Sequence, residues 1–62
     1  MKINSEEHRE GLIKLYKDQQ ESEDGFMYAV LKKAILSLEA GNKPQMVENW
    51  VVKMEKEMRK KI

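Results

Sequence analysis

The chain is predicted to be all-α: a small three-helix bundle that assembles as a helical dimer, or pairs with another protein, through its second and third helices. Three observations carry this reading. Apolar residues recur at three- and four-residue intervals, the spacing of a helix face rather than the alternation of a strand. Two short polar segments, residues 22–25 and 41–44, interrupt that pattern, and their Asp-Gly, Gly and Pro residues are turn and helix-end signals. Finally, a chain of 62 residues with no Cys and one His has no disulfide framework and no multi-histidine metal site to reinforce it. A domain of this size hides only about 60% of the surface of its unfolded chain, so association is the reinforcement that remains.

The first helix is expected over residues 4–21. Asn4 stands three residues ahead of Glu7, the spacing at which a capping side chain and a carboxylate satisfy first-turn amides. Glu6 and Glu7 also lie at the positive end of the helix dipole. Leu12, Leu15, Tyr16 and Gln19 fall on one face with Ile13 at its edge, while Arg9, Lys14, Lys17 and Asp18 face away. The helix is therefore amphipathic only in its second half. The run from Gln19 to Gly25 holds no hydrophobic residue, and the break is expected at Ser22 to Gly25, with Ser22 or Asp24 capping the next helix. The competing arrangement, one long helix through Gly25, costs only about 1 kcal/mol for the helical glycine.

Residues 24–40 form the second helix and the centre of the bundle. Val30, Ala34, Met27, Leu38, Leu31, Ile35 and Tyr28 spread across about 160° of its surface, wider than the usual apolar stripe of about 100°. Leu36, Ala29 and Ala40 make a second, smaller apolar strip between Lys32 and Lys33. Two apolar faces imply two neighbours, and a second chain can supply one of them. Gly41 suits the left-handed residue that closes a helix, Pro44 suits the first turn of the next, and Asn42 with Gln45 has capping-box spacing. The connection is short, so the second and third helices are expected to be adjacent.

The third helix is expected over residues 43–61. Val47, Val51, Met54 and Met58 are spaced four, three and four apart, the rhythm of a helix seam, with Met46, Trp50 and Ile62 widening it. Glu55 with Arg59 and Glu57 with Lys61 stand in the favourable acid-first order, each pair contributing about 0.2 to 0.5 kcal/mol.

Net charge is only +1, which disfavours nucleic acid as a partner of the whole chain. The charge is uneven: residues 1–24 carry four basic and seven acidic side chains, net −3, and residues 25–62 eight and four, net +4. No apolar run reaches the roughly 18 residues of a membrane span, and the opening residues lack the apolar core of a secretion signal. The expected setting is the cytoplasm, with no membrane partner. The cluster Arg59, Lys60 and Lys61 is shorter than the four to eight basic residues of a lipid-binding segment.

No catalytic signature is present: no glycine-rich phosphate loop, no cysteine nucleophile and no Ser/His/Asp set at an arguable spacing. No cofactor, metal or small-molecule substrate is expected. His8 sits beside Glu7 and near Glu10, but neighbouring helical residues point in different directions and there is no second His. Aligning Asp24-Gly25 with a calcium loop puts Gln20 first and Leu31 twelfth, where carboxylates are required.

The expected function is protein binding, and the chain is read as a non-catalytic adaptor, inhibitor or regulator. Met adapts to several packings and Trp concentrates interface energy. The partner-binding candidates are accordingly Tyr28, Leu36, Met46, Trp50, Met54 and Met58. Trp50, Met54, Met58, Leu31, Ile35 and Leu38 are expected in the core beside that surface, with Tyr28, Leu36 and Met46 its most exposed members. The alternative is a helix-turn-helix-like DNA-binding regulator that presents Gln45, Asn49, Lys53 and Lys56 on its third helix, where Glu48, Glu55 and Glu57 would repel phosphate. Three helices with a Trp in the third match a homeodomain in outline only. Counting from Trp50, that family's adenine-reading Asn and phosphate-binding Arg fall on Lys53 and Glu55, so no family is assigned.

Overall fold

A computed structural model describes residues 5–60. It contains helices α1 (Ser5–Glu21), α2 (Gly25–Glu39) and α3 (Pro44–Lys60), and there is no strand among the described residues. The inner limits, at residues 21, 25, 39 and 44, lie within a residue of the expected 21, 24, 40 and 43; the expected outer limits, residues 4 and 61, lie outside the described residues. Asn4, Lys61 and Ile62 lie outside the described residues, as do the Asn4 cap and the Glu57–Lys61 pair.

The breaks have local causes. At the end of α1 the Ser22 amide and hydroxyl both donate to the Gln19 carbonyl at 3.1 Å, and the Glu23 amide donates to that of Gln20. Gly25 has φ +65°, a left-handed conformation that only glycine adopts at little cost. One continuous helix through Gly25 is thereby excluded. Asp24 occupies the cap position of α2 in extended conformation, without a side-chain capping bond.

The α2–α3 connection is a Schellman closure. The Gly41 amide donates to the Leu38 carbonyl and the Asn42 amide to the Ser37 carbonyl, both at 3.1 Å, and Gly41 takes φ +96°, so the last carbonyls of α2 are satisfied. The Lys43 carbonyl accepts from Met46 and Val47. Lys43 is therefore the cap and Pro44 the first helical residue, where its missing N–H costs nothing. This corrects the expected Asn42/Gln45 capping box: Asn42 lies one residue too early and its amide is engaged in closing α2. Gln45 instead donates to Asn49 at 3.0 Å and to Glu48 at 3.5 Å.

Helix α2 packs against both neighbours, most extensively against α1. The buried core consists of Leu12 and Tyr16 from α1, Met27, Val30, Leu31, Ala34, Ile35 and Leu38 from α2, and Val47 and Val51 from α3. Leu31 and Leu38 are fully enclosed. Because Leu12 and Tyr16 enter this core, α1 is integral to the bundle. Within α1 the expected inner face is also corrected. Leu15 is 52% exposed and Gln19 is exposed, whereas Ile13 is partly buried against the core. The inward stripe is centred on Leu12 and Tyr16 and extends toward Ile13 and Gln20.

Two polar residues of α1 tie the helices together. Arg9, expected to face solvent, donates from Nη2 to the carbonyls of Asn42 at 3.2 Å and Gly41 at 3.5 Å. His8 Nε2 lies 3.2 Å from Glu48 Oε1 on α3. Thus the start of α1 meets the end of α2 and the start of α3, so α1 runs antiparallel to α2 and parallel to α3.

Candidate functional site

The partner-binding candidates divide into three groups in space. Trp50, Met54 and Met58 are partly buried and packed against the core; most of their surface is already used within the bundle. Leu36 and Met46 are 56% and 66% exposed. Tyr28 is 44% exposed but lies about 180° around α2 from Ser37, at 100° per residue. Ser37 faces α3, so Tyr28 is on the flank of α2 remote from α3, and the fold does not bring it together with Met46.

What the fold does assemble is a face made of the outward side of α2 and the adjoining edge of α3. A shallow open groove of about 180 Å³ runs between them, lined by Ser37, Asn42, Met46, Val47 and Trp50. Its wall at Trp50 is fixed from two sides. The indole rests on the core, and the Lys33 ammonium of α2 lies 5.7 Å from the ring centroid, within the range of a cation–π contact of about 0.5 to 1 kcal/mol at an exposed site. Leu36 projects on the outward side of α2, about 100° around the helix from the groove-lining Ser37, flanked along the helix by Ala29, Lys32 and Ala40, all exposed. Phe26, at the start of the same helix, is 52% exposed.

Sequence reasoning singled out neither Phe26 nor the polar lining, Ser37 and Asn42. Phe26 carried a readable signal, as a large apolar residue one turn ahead of the wide apolar arc. Ser37 and Asn42 carried none, because their place in the groove follows from how α2 and α3 pack. Leu15 and Val52 are also exposed, as single apolar residues commonly are.

The nucleic-acid candidates Gln45, Asn49, Lys53 and Lys56 are all exposed along the outward side of α3. Of the acids expected to oppose phosphate there, Glu48 pairs with His8 of α1 but also accepts from the candidate Gln45 at 3.5 Å, and Glu55 is half-buried, 3.9 Å from Arg59. Both carboxylates act on Tyr16, which is 3% exposed. Burial chiefly, then the negative charges of Glu48 and Glu55, push its hydroxyl up from the ordinary 10 to about 12. This perturbation belongs to the core, and Tyr16 does not line the groove at Trp50.

Among the described residues no group of three or more His, Cys, Asp or Glu side chains could hold a metal ion. No described helix is long and apolar enough to cross a membrane. The chain matches no protein-family model, no curated protein and no solved structure closely enough to suggest a relative.

Proposed function

We propose that this protein is a non-catalytic binding module that engages a second polypeptide chain through the α2–α3 face, and that self-association through the same face produces a dimer. One observation carries the reading: Met46, more than half exposed, lines a groove walled by Trp50, and Leu36, also more than half exposed, projects from the outward side of α2. Large apolar side chains grouped on one face are the mark of a contact surface. Met46 suits such a surface because an unbranched, polarizable chain fits more than one partner shape, and Trp50 supplies a rigid anchor at its edge.

The test is site-specific photocrosslinking in cells that express the protein, with a photoreactive residue in place of Leu36, Met46 or, as control, the exposed Lys17 of α1. Adducts to a second chain from positions 36 and 46 but not from 17 support the reading. Equal yields from all three positions, or none from any, overturn it.

A second reading, nucleic-acid binding, is favoured by the joint exposure of Gln45, Asn49, Lys53 and Lys56 and by the turning of Glu48 toward α1. It predicts retention on a nucleic-acid column at low salt, falling steeply as salt rises and lost when Lys53 and Lys56 are both changed to Glu. Absence of retention at low salt eliminates it.

A further inference from the structure

We infer that the second chain is another copy of this one, bound with α2 antiparallel to α2 about a two-fold axis that passes between residues 35 and 36. The inference rests on the binding reading above and goes further by fixing the occupant and its register.

The outward side of α2 carries few features, and their placement is selective. At 100° per residue, Leu36 lies opposite the centre of the buried arc. Lys32 and Glu39 lie together on its flank remote from α3, seven residues apart, while Lys33 and Ala40 lie on the flank toward α3. Both Lys32 and Glu39 are exposed, and neither has an ion-pair partner among the described residues.

When two identical helices pack antiparallel, each flank meets the same flank of its partner. Lys32 of one copy then faces Glu39 of the other, and the two-fold axis repeats the pair. The residue numbers of such a pair have their midpoint between 35 and 36, which places the axis beside Leu36 and brings the two Leu36 side chains together. A parallel pairing instead sets each flank against the opposite one, so that Lys32 meets Lys33 and like charges repel. The exposed alanines, Ala29 and Ala40, allow the backbones to approach on either side of the leucines. The surface is thus self-complementary under a two-fold operation, as an isologous interface requires.

Size is consistent with this occupant. The molecule measures 37 × 20 × 20 Å, and its long face approaches the roughly 800 Å² that each partner contributes to a standard interface. The α2 strip and the Met46 edge of α3 occupy one such face, and the groove beside Trp50 lies at its margin.

The test is sedimentation equilibrium of the purified full chain at low and moderate salt, with far-UV circular dichroism to establish that each variant folds. Wild type should dimerise. Lys32→Glu and Glu39→Lys should each weaken the dimer roughly tenfold, since each change replaces two attractive pairs by two repulsive ones. The double variant, with the charges exchanged, should return to within about threefold of wild type. Leu36→Glu should be monomeric with helicity intact. All three positions are exposed, so loss of folding is not expected to obscure the result.

A wild-type protein that remains monomeric at millimolar concentration overturns the inference. So does a dimer indifferent to the single charge reversals, or one that the double exchange fails to rescue. A monomer that still gives position-specific adducts from residues 36 and 46 in cells would overturn the second copy as occupant and leave the binding reading standing. A monomer without such adducts would overturn both.

Discussion

Replacing Leu31 with Ala should bring this protein close to unfolding. Leu31 has no exposed surface and sits in the middle of α2, within the cluster to which all three helices contribute. The substitution removes three carbons, worth together about 2 kcal/mol at roughly 0.8 kcal/mol each. A cavity that the surroundings only partly fill adds about 1 to 2 kcal/mol, for a total of about 3 to 4 kcal/mol. A chain of this length has a stability of about 3 to 9 kcal/mol, so most of it is at stake. Leu36→Ala, on the same helix but 56% exposed, removes the same atoms and should cost the monomer less than about 0.5 kcal/mol. Urea titration of both variants, followed by helical circular dichroism at a protein concentration low enough to keep the chains apart, reads the difference directly. With a slope of about 1 kcal/mol per molar urea, Leu31→Ala should lose roughly 3 M in midpoint and Leu36→Ala almost none. Equal losses at the two positions would mean that the assignment of inner and outer faces of α2 is wrong.

The glycines, Arg9 and Tyr16 give further outcomes. Gly11 lies inside α1 in open space and in an ordinary helical conformation, so Gly11→Ala should stabilise by about 0.5 to 1 kcal/mol. Gly41→Ala, forced to φ +96°, should destabilise by about 1 to 2 kcal/mol, both measured as thermal midpoints. Arg9→Met keeps the packed stem but removes the bonds to the Asn42 and Gly41 carbonyls. It should cost about 1 kcal/mol and accelerate amide exchange in the α2–α3 turn; unchanged exchange there would show that Arg9 does not brace it. Tyr16 ionises at about 12 when folded and near 10 when unfolded, so the unfolded chain releases the proton first. Stability should therefore fall as pH rises from about 10 through 12. Glu48→Gln should lower the folded value in a spectrophotometric titration by removing one of the two charges that oppose ionisation.

The contrast between Leu12 and Leu15 shows how far the sequence could be read. Both fall within the apolar half of α1, and the expected inner face included both, with Ile13 at its edge. In the folded chain Leu12 is buried, Leu15 is half exposed and Ile13 turns toward the core. A helix with four apolar residues in seventeen can rotate by some tens of degrees without changing how many of them it buries, and its neighbours settle the choice. On α2 no such freedom exists, because six of its fifteen residues are buried in one broad arc that admits only one orientation. The candidate site was legible to the same uneven degree. Leu36 could be picked out as an apolar residue outside the main stripe of α2, and Met46 as one that widens the seam of α3. Tyr28 could not be separated from them until α3 was seen to lie on the other side of α2.

By itself the sequence determined the three helices, their limits and the central place of α2, because these depend on local causes: 3.6-residue periodicity, a glycine that can adopt positive φ at each break, and Pro44 at a first turn. The tertiary structure alone decided that Arg9 and His8 fasten α1 to the other two helices, that Trp50 lies between the core and Lys33, and that Met46 and Trp50 line one groove with Ser37. Those relations join residues up to forty positions apart, and nothing in a local pattern fixes how one helix is rotated against the next. That rotation is set by the packing of all three helices at once.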